Sequence, residues 1–494
     1  MDQDPPEIPT GETATRRVVG VVALLGSIAL SLALAGAWPT PAVAPPPAVP
    51  PPAGFPIDYW DWGANRSLSS GELAQLDHLG GREVFSLCGM VHIVDGQWRW
   101  EPQGRSSAPI PGRRQHLVVR IDAAIARQMD PAIAPLLIPL LVAGCQRNRT
   151  TATIGVQLDC DVPTRRLPAY AALLRELRLA LPAGTELSVT MLLDWARSRD
   201  LAELMQAIDF IVPQFYNTYL PIDPAGITPL VGDSDLERVI PRLEAVGRPY
   251  RVGLPTYEQC SLYDARGDLL RPALPLSPEQ AITAGGEVQR VMRGAENVIT
   301  VRFPNAVKVA GQQFEAGHRV AFACSTPAGM ASRLADLRRL APRHCGGVLL
   351  FRLPGRESTH SLSIAQVSAA ATDTIRPATV VARLEPLGNQ HWALIVSNQG
   401  DEDFIDFAAP ARVMVQVPGA EVQATRLPGY GFAIARELAG EDGQRDGLEL
   451  YLGLLRAGEV LVIEDLRIVT PDGAPPRITG VVQQNGRTQA LGLR

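Results

Sequence analysis

Two aspartates one residue apart close an apolar run, "IGVQLDCDVP" at residues 154–163. In an extended strand side chains alternate between faces, so Gln157, Asp159 and Asp161 share one face and Val156, Leu158 and Cys160 the other. Like charges on one face repel and resist desolvation, so burial is expected to raise the pKa of at least one of these carboxyls. Folding gives no reason to place them there. Proton transfer or the binding of a polar ligand does.

The same type of residue recurs where other apolar segments end. Asp58, Asp61 and Trp62 follow one such segment, and Arg120 and Asp122 another. Asp194 and Trp195 come next, then Gln214, Tyr216 and Asn217, then Tyr257 and Glu258, and last Phe351 and Arg352. Any one acid has a purely structural reading, since Asp122 or Asp194 can cap the helix that follows it. The recurrence at one end of successive segments argues for a common cleft. Carboxylates and aromatic rings together suit a carbohydrate, because rings lie against sugar faces and acids accept hydroxyl protons.

The elements that must position these residues alternate from residue 55 to about 354. Apolar, strand-like runs such as "HLVVRID", "ELSVTMLLDW", "DFIVPQFYN" and "GGVLLFRLPG" are interleaved with helical patterns such as "LPAYAALLRELRLALP" and "DLERVIPRLEAVG". Eight strand–helix units in this span predict an α/β fold, a (β/α)8 TIM-like barrel over 55–372, with the chemistry at the C-terminal ends of the strands. A doubly wound sheet would open on a glycine-rich phosphate turn, which the sequence lacks. The stretch 95–115 reads as a loop, and 265–330 as a small antiparallel excursion between the last two barrel strands. From 373 to 494 the pattern changes to period two with Gly, Pro and Asn turns, which predicts an antiparallel β-sandwich and tail.

Composition narrows the partners. A net charge of −5 over 494 residues offers no basic field for nucleic acid. Lys308 is the sole lysine among 46 basic residues, so abundant arginine reflects codon bias and is not by itself a sign of anion binding. Residues 18–38 are uncharged and long enough for one membrane-spanning helix. Arg16 and Arg17 precede them and the next basic residue is Arg66, which predicts a cytoplasmic tail over 1–17 and an exported remainder. The expected location is the inner membrane, single-pass, with the barrel in the periplasm; cleavage of 18–38 as a signal peptide and secretion is the alternative. Residues 39–54 are a proline-rich spacer. Six cysteines lack C-x-x-C spacing, so neither a metal site nor a cofactor is expected. Cys324 and Cys345 are the favoured pair if a disulfide forms.

Residues 55–354 resemble two groups of proteins. The first is the chitinase-like glycoside hydrolases, which carry D-x-x-D-x-D-x-E on the fourth strand, M-x-Y on the sixth, G-x-P-x-Y on the seventh and a tryptophan on the eighth. Here Asp159 and Asp161 match the second and third aspartates, Gln214-Phe-Tyr216 and Gly253-Leu-Pro-Thr-Tyr257 match the next two motifs, and Phe351 takes the tryptophan position. Val156 replaces the first aspartate, and Pro163 stands where that family has its general-acid glutamate. The second is an uncharacterised bacterial family of predicted barrels that shares the D-x-D and the following L-x-x-W. The resemblance implies a barrel acting on or binding an envelope or imported polysaccharide or oligosaccharide. Because the glutamate is replaced, hydrolysis needs another pair: Asp161 as proton donor, Asp159 positioning it, and Glu258 opposite. Retention of configuration requires carboxyls ~5–5.5 Å apart and inversion ~6.5–9.5 Å. The remaining readings are a lectin-like barrel without chemistry and an envelope scaffold.

Overall fold

The computed structural model describes residues 54–62, 67–103, 109–217, 220–221, 229–292, 294–355, 360–405, 411–424, 429–430, 433–439, 443, 445–470, 475–484, 487–490 and 492–493. The expected tail, membrane segment and spacer (1–17, 18–38 and 39–54) therefore lie outside the described residues, apart from Gly54. Among the described helices none is long and apolar enough to cross a membrane.

Eight parallel strands close into a barrel: β1 (Ile57–Asp61), β2 (Glu83–Val94), β3 (Arg114–Ile121), β4 (Thr153–Asp159), β5 (Glu186–Met191), β6 (Phe210–Pro213), β7 (Tyr250–Pro255) and β8 (Cys345–Phe351). Closure comes from β1, which pairs with β8 on one side (Ile57 with Val348) and with β2 on the other (Tyr59 with Val84). The eight-strand arithmetic of the sequence holds. Alternation sorts each strand into two faces. Outward residues such as Tyr59, Leu117, Val156, Leu158 and Leu350 join the helices in the largest core. Inward residues Trp60, Phe85, Val118, Val212 and Leu349 fill the barrel.

The barrel floor is ionic. Arg251 donates to Asp58 at 2.8 Å and to Glu83 at 2.5 Å, and Glu83 also meets His116 at 3.1 Å. Asp58 accepts from the backbone amides of Arg82 and Glu83 as well. One layer up, the Trp60 indole donates to Gln157 at 2.6 Å and lies over Gly253. Glycine is required there, since a Cβ on residue 253 would sit 2.9 Å from the Pro213 carbonyl and 3.2 Å from the Trp60 ring.

Two additions complete the chain. The excursion is a five-stranded antiparallel sheet that starts at Glu258, earlier than the composition shift at 265 suggests; its central strands are Glu258–Tyr263, Arg319–Ser325 and Glu296–Arg302. After residue 379 come a five-stranded and a six-stranded sheet, antiparallel apart from one short edge pair. Leu394 of the first and Val413 and Leu450 of the second share one core. The 95–115 loop needs correction. Residues Gln97–Pro102 form a strand antiparallel to the end of β2, joined by the turn residues Asp95 and Gly96, both at positive φ. Asp-Gly between apolar residues is a hairpin signal that composition alone obscures.

Candidate functional site

The site lies at the C-terminal ends of the strands and is built around an arginine. Arg120, Val118 and His116 share the inward face of β3, so Arg120 emerges above the packed barrel interior. Its guanidinium donates to Asp159 and to Asp161, at 2.6 Å each. Thr190, inward on β5, donates to Asp159 at 2.8 Å, and Gln214 reaches the same oxygen at 3.4 Å. The Asp159 carboxylate is thereby held by three side chains and nearly inaccessible. Asp161 keeps 31% of its side-chain surface exposed.

These contacts explain why two adjacent acids are tolerated. Burial pushes the Asp159 carboxyl above its ordinary range and Asp161 pushes it further, while Arg120 pulls it back. Burial disfavours the charge on Arg120, yet the two carboxylates hold the guanidinium firmly protonated. The three groups lie together in the lining of a cleft of about 570 Å³. Aromatic rings form the facing wall. Phe351 packs edge-on against Trp62 (5.1 Å between centroids) and Tyr257 (5.6 Å), and stacks on Tyr216 (5.7 Å). The Trp62 Nε1 is buried with no protein acceptor among the described residues. Such a cleft offers ring faces and one accessible carboxylate to a ligand rich in hydroxyls.

Of the sequence candidates, Trp62, Asp159, Asp161, Gln214, Tyr216, Tyr257, Phe351 and Arg352 line this cavity together. Several others require correction. Asp58 belongs to the barrel floor, because it lies near the start of β1 on its inward face. Asp61 shares the outward face of β1 with Ile57 and Tyr59 and is buried. Asp122 caps the helix Ala123–Arg127, accepting from the Ala124 amide at 2.6 Å. Asp194 is exposed and accepts from the Thr164 hydroxyl. Trp195 is fully buried in the helix layer, where its indole donates to the Val162 carbonyl at 2.9 Å and its ring packs on Tyr170.

Glu258 is the most consequential correction. The residue borders the cavity, but its side chain shares a strand face with Cys260 and Leu262, whose core includes Ile405 and Leu454 from the C-terminal region. Its carboxylate accepts from Arg456 at 2.7 Å and from the Cys324 thiol at 3.1 Å. Burial raises its pKa and the Arg456 charge opposes the rise. Both contacts fall on Oε2, while Oε1 is buried without a hydrogen-bond partner among the described residues, so the carboxyl is held on the side of Arg456 and is not an exposed partner for Asp161. Cys324 and Cys345 are both free thiols with separate partners, Cys345 donating to the Gly347 carbonyl at 3.4 Å. No group of three or more metal-ligating side chains occurs among the described residues.

Sequence reasoning placed Arg120 at the rim, at the end of "HLVVRI", but gave it no role in the site, and it missed Thr190. Thr190 is signalled only by its strand parity.

Residues 111–356 match the family described as Domain of unknown function (DUF3142). No curated protein matches the chain. Among solved structures, the chain is similar to a class V chitinase from Pseudomonas fluorescens, at 18% identity and a TM-score of 0.44 over 65% of this chain and 99% of that one. It is also similar to the spore cortex-lytic enzyme SleL of Bacillus cereus, at 13% identity and a TM-score of 0.41 over 65% and 74% of the two chains. A glycoside hydrolase family 18 N-acetylglucosaminidase from Paenibacillus barengoltzii aligns at 12% identity and a TM-score of 0.39, over 65% and 100%.

Proposed function

We propose that this protein is a polysaccharide- or oligosaccharide-binding barrel, exported and held at the inner membrane by residues 18–38, that engages its glycan in the cleft above Arg120. The observation that carries the reading is the pairing of an aromatic wall (Trp62, Tyr216, Tyr257, Phe351) with the Arg120–Asp159–Asp161 triad across one cavity. Rings contribute apolar contact to sugar faces, and Asp161 supplies an acceptor for hydroxyls. The export reading is supported by Arg16 and Arg17 ahead of the uncharged run and the absence of basic residues until Arg66.

Hydrolysis is the second reading, and one observation favours keeping it: Asp161 is a cleft carboxylate with accessible surface beside a fixed cation. A two-carboxylate mechanism through Glu258 is disfavoured, because that carboxyl is buried and its Oε2 is engaged by Arg456 and Cys324. A glycan array together with a reducing-sugar assay on the full chain separates the two. Binding without turnover supports the first reading, turnover abolished by Asp161→Asn supports the second, and silence in both assays refutes each.

A further inference from the structure

Arg456 lies in the C-terminal region, directly after the short strand Leu454–Leu455, and only 7% of it is exposed. Its guanidinium contacts three carboxylates from three parts of the chain. Nη2 meets Glu258, the first residue of the strand that leaves the barrel after β7, at 2.7 Å. Nε meets Glu279 of the helix Pro278–Thr283 in the excursion, also at 2.7 Å. Nη1 meets Asp403, within the C-terminal region, at 3.2 Å. Backbone contacts fix the arginine in turn: its own amide donates to Glu459 at 2.7 Å, and the Ala457 amide donates to Asp403 at 2.9 Å. Three carboxylates around one buried guanidinium are costly to desolvate, and apolar side chains would fill the same junction without that cost. Ile405 and Leu454 already do so beside it.

What this expensive junction holds is the cleft wall. Glu258 is adjacent in sequence to Tyr257, whose ring completes the aromatic wall against Tyr216 and Phe351. The Tyr257 carbonyl accepts from the Ser325 amide at 3.2 Å, and the Glu258 amide donates to the His360 carbonyl at 3.0 Å. The Glu258 side chain thus lies one residue along the backbone from that ring. We infer that Arg456 is a positioning residue for the candidate site: through Glu258 it fixes the Tyr257 wall of the cleft, so that the C-terminal sheets are a structural part of the binding site and not an independent appendage. Its functional meaning rests on reading the cleft as a glycan site; the positional claim is separate and has its own test.

The test is amide hydrogen exchange on the full chain carrying Arg456→Gln, Arg456→Lys or, as a control, Arg383→Gln, which removes an exposed pair with Glu385 on the first strand of the C-terminal sheets. In Arg456→Gln the Glu258 and Ser325 amides should exchange at least tenfold faster, while Val118 and Leu158 in the barrel keep their protection. Lysine, which restores the charge but not the three-way geometry, should recover part of the loss, and Arg383→Gln should leave the wall unchanged. Wild-type exchange at Glu258 and Ser325 in Arg456→Gln overturns the inference, and so does an equal acceleration throughout the barrel. If Arg456→Gln does not fold, the lysine variant decides between the same two outcomes. A wild-type protein that binds no glycan ends the ligand reading and leaves this exchange result standing.

Discussion

Arg120 Nη2 lies 2.6 Å from Asp161 Oδ2, while the other arm of the same guanidinium grips Asp159 at the same distance. One cation therefore neutralises part of a paired acid and aims the rest at the cleft. The consequence is that Asp159 is the buried member of the pair, 3% exposed, and Asp161 the accessible one, 31% exposed.

Removing the cation should expose the cost of that arrangement. Arg120→Met leaves Asp159 buried without its partner, and breaking a buried pair from one side costs ~3–5 kcal/mol. Urea denaturation of Arg120→Met is expected to show a loss of that order. The double variant Arg120→Met, Asp159→Asn should recover much of it, because no uncompensated charge remains.

The barrel floor predicts the response to acid. Burial works against the charge on Glu83, but its hydrogen bond to His116 and the nearby Arg251 and Arg114 hold its carboxyl well below the ordinary carboxylate range. A folded-state pKa lowered in this way contributes stability that is complete above the unfolded-state value and is lost as pH falls below it. Stability should therefore decline as pH drops below ~4.5, and Glu83→Gln should flatten the decline while lowering stability at neutral pH. Equilibrium unfolding between acid and neutral pH measures both effects.

Space inside the barrel gives a third expectation. Gly253→Ala places a methyl group 2.9 Å from the Pro213 carbonyl and 3.2 Å from the Trp60 ring. Overpacking of this kind costs ~1–3 kcal/mol, and the thermal midpoint should fall accordingly. A midpoint equal to that of the parent protein would show that the Trp60 indole can move aside.

Much of this architecture was legible in the sequence. Most of the barrel strands carry near-continuous apolar runs, as strands covered on both faces do, and the C-terminal sheets carry period two. "LDCD" identified the triad's acids because two charges closing one apolar run have no packing rationale. Other features depend on depth and on contacts across the chain, which spacing does not encode. Asp58 shares the inward face with Trp62 but lies deeper in the barrel, and Asp61 adjoins Trp62 but points outward, so proximity in sequence placed both wrongly. Trp195 looks like a cleft aromatic, but the short helical turn at Leu193–Arg197 directs it into the helix layer. The partner of Glu258 lies 198 residues away in Arg456, a pairing that only the folded chain brings together.

Aromatic contact should dominate ligand affinity. Trp62→Ala and Phe351→Ala remove rings from the wall, and each is expected to weaken glycan binding by up to ~10-fold, equivalent to ~0.5–1.5 kcal/mol per aromatic contact. Trp195→Phe changes a tryptophan outside the cavity and should leave affinity unaltered in the same titration calorimetry.

The most direct measurement of the central claim is a glycan array on the full chain, repeated with Asp161→Asn and Trp62→Ala. The parent protein is expected to bind at least one polysaccharide or oligosaccharide, and both variants to lose most of that signal while remaining folded. An array with no bound glycan, or binding that both variants retain in full, would contradict it.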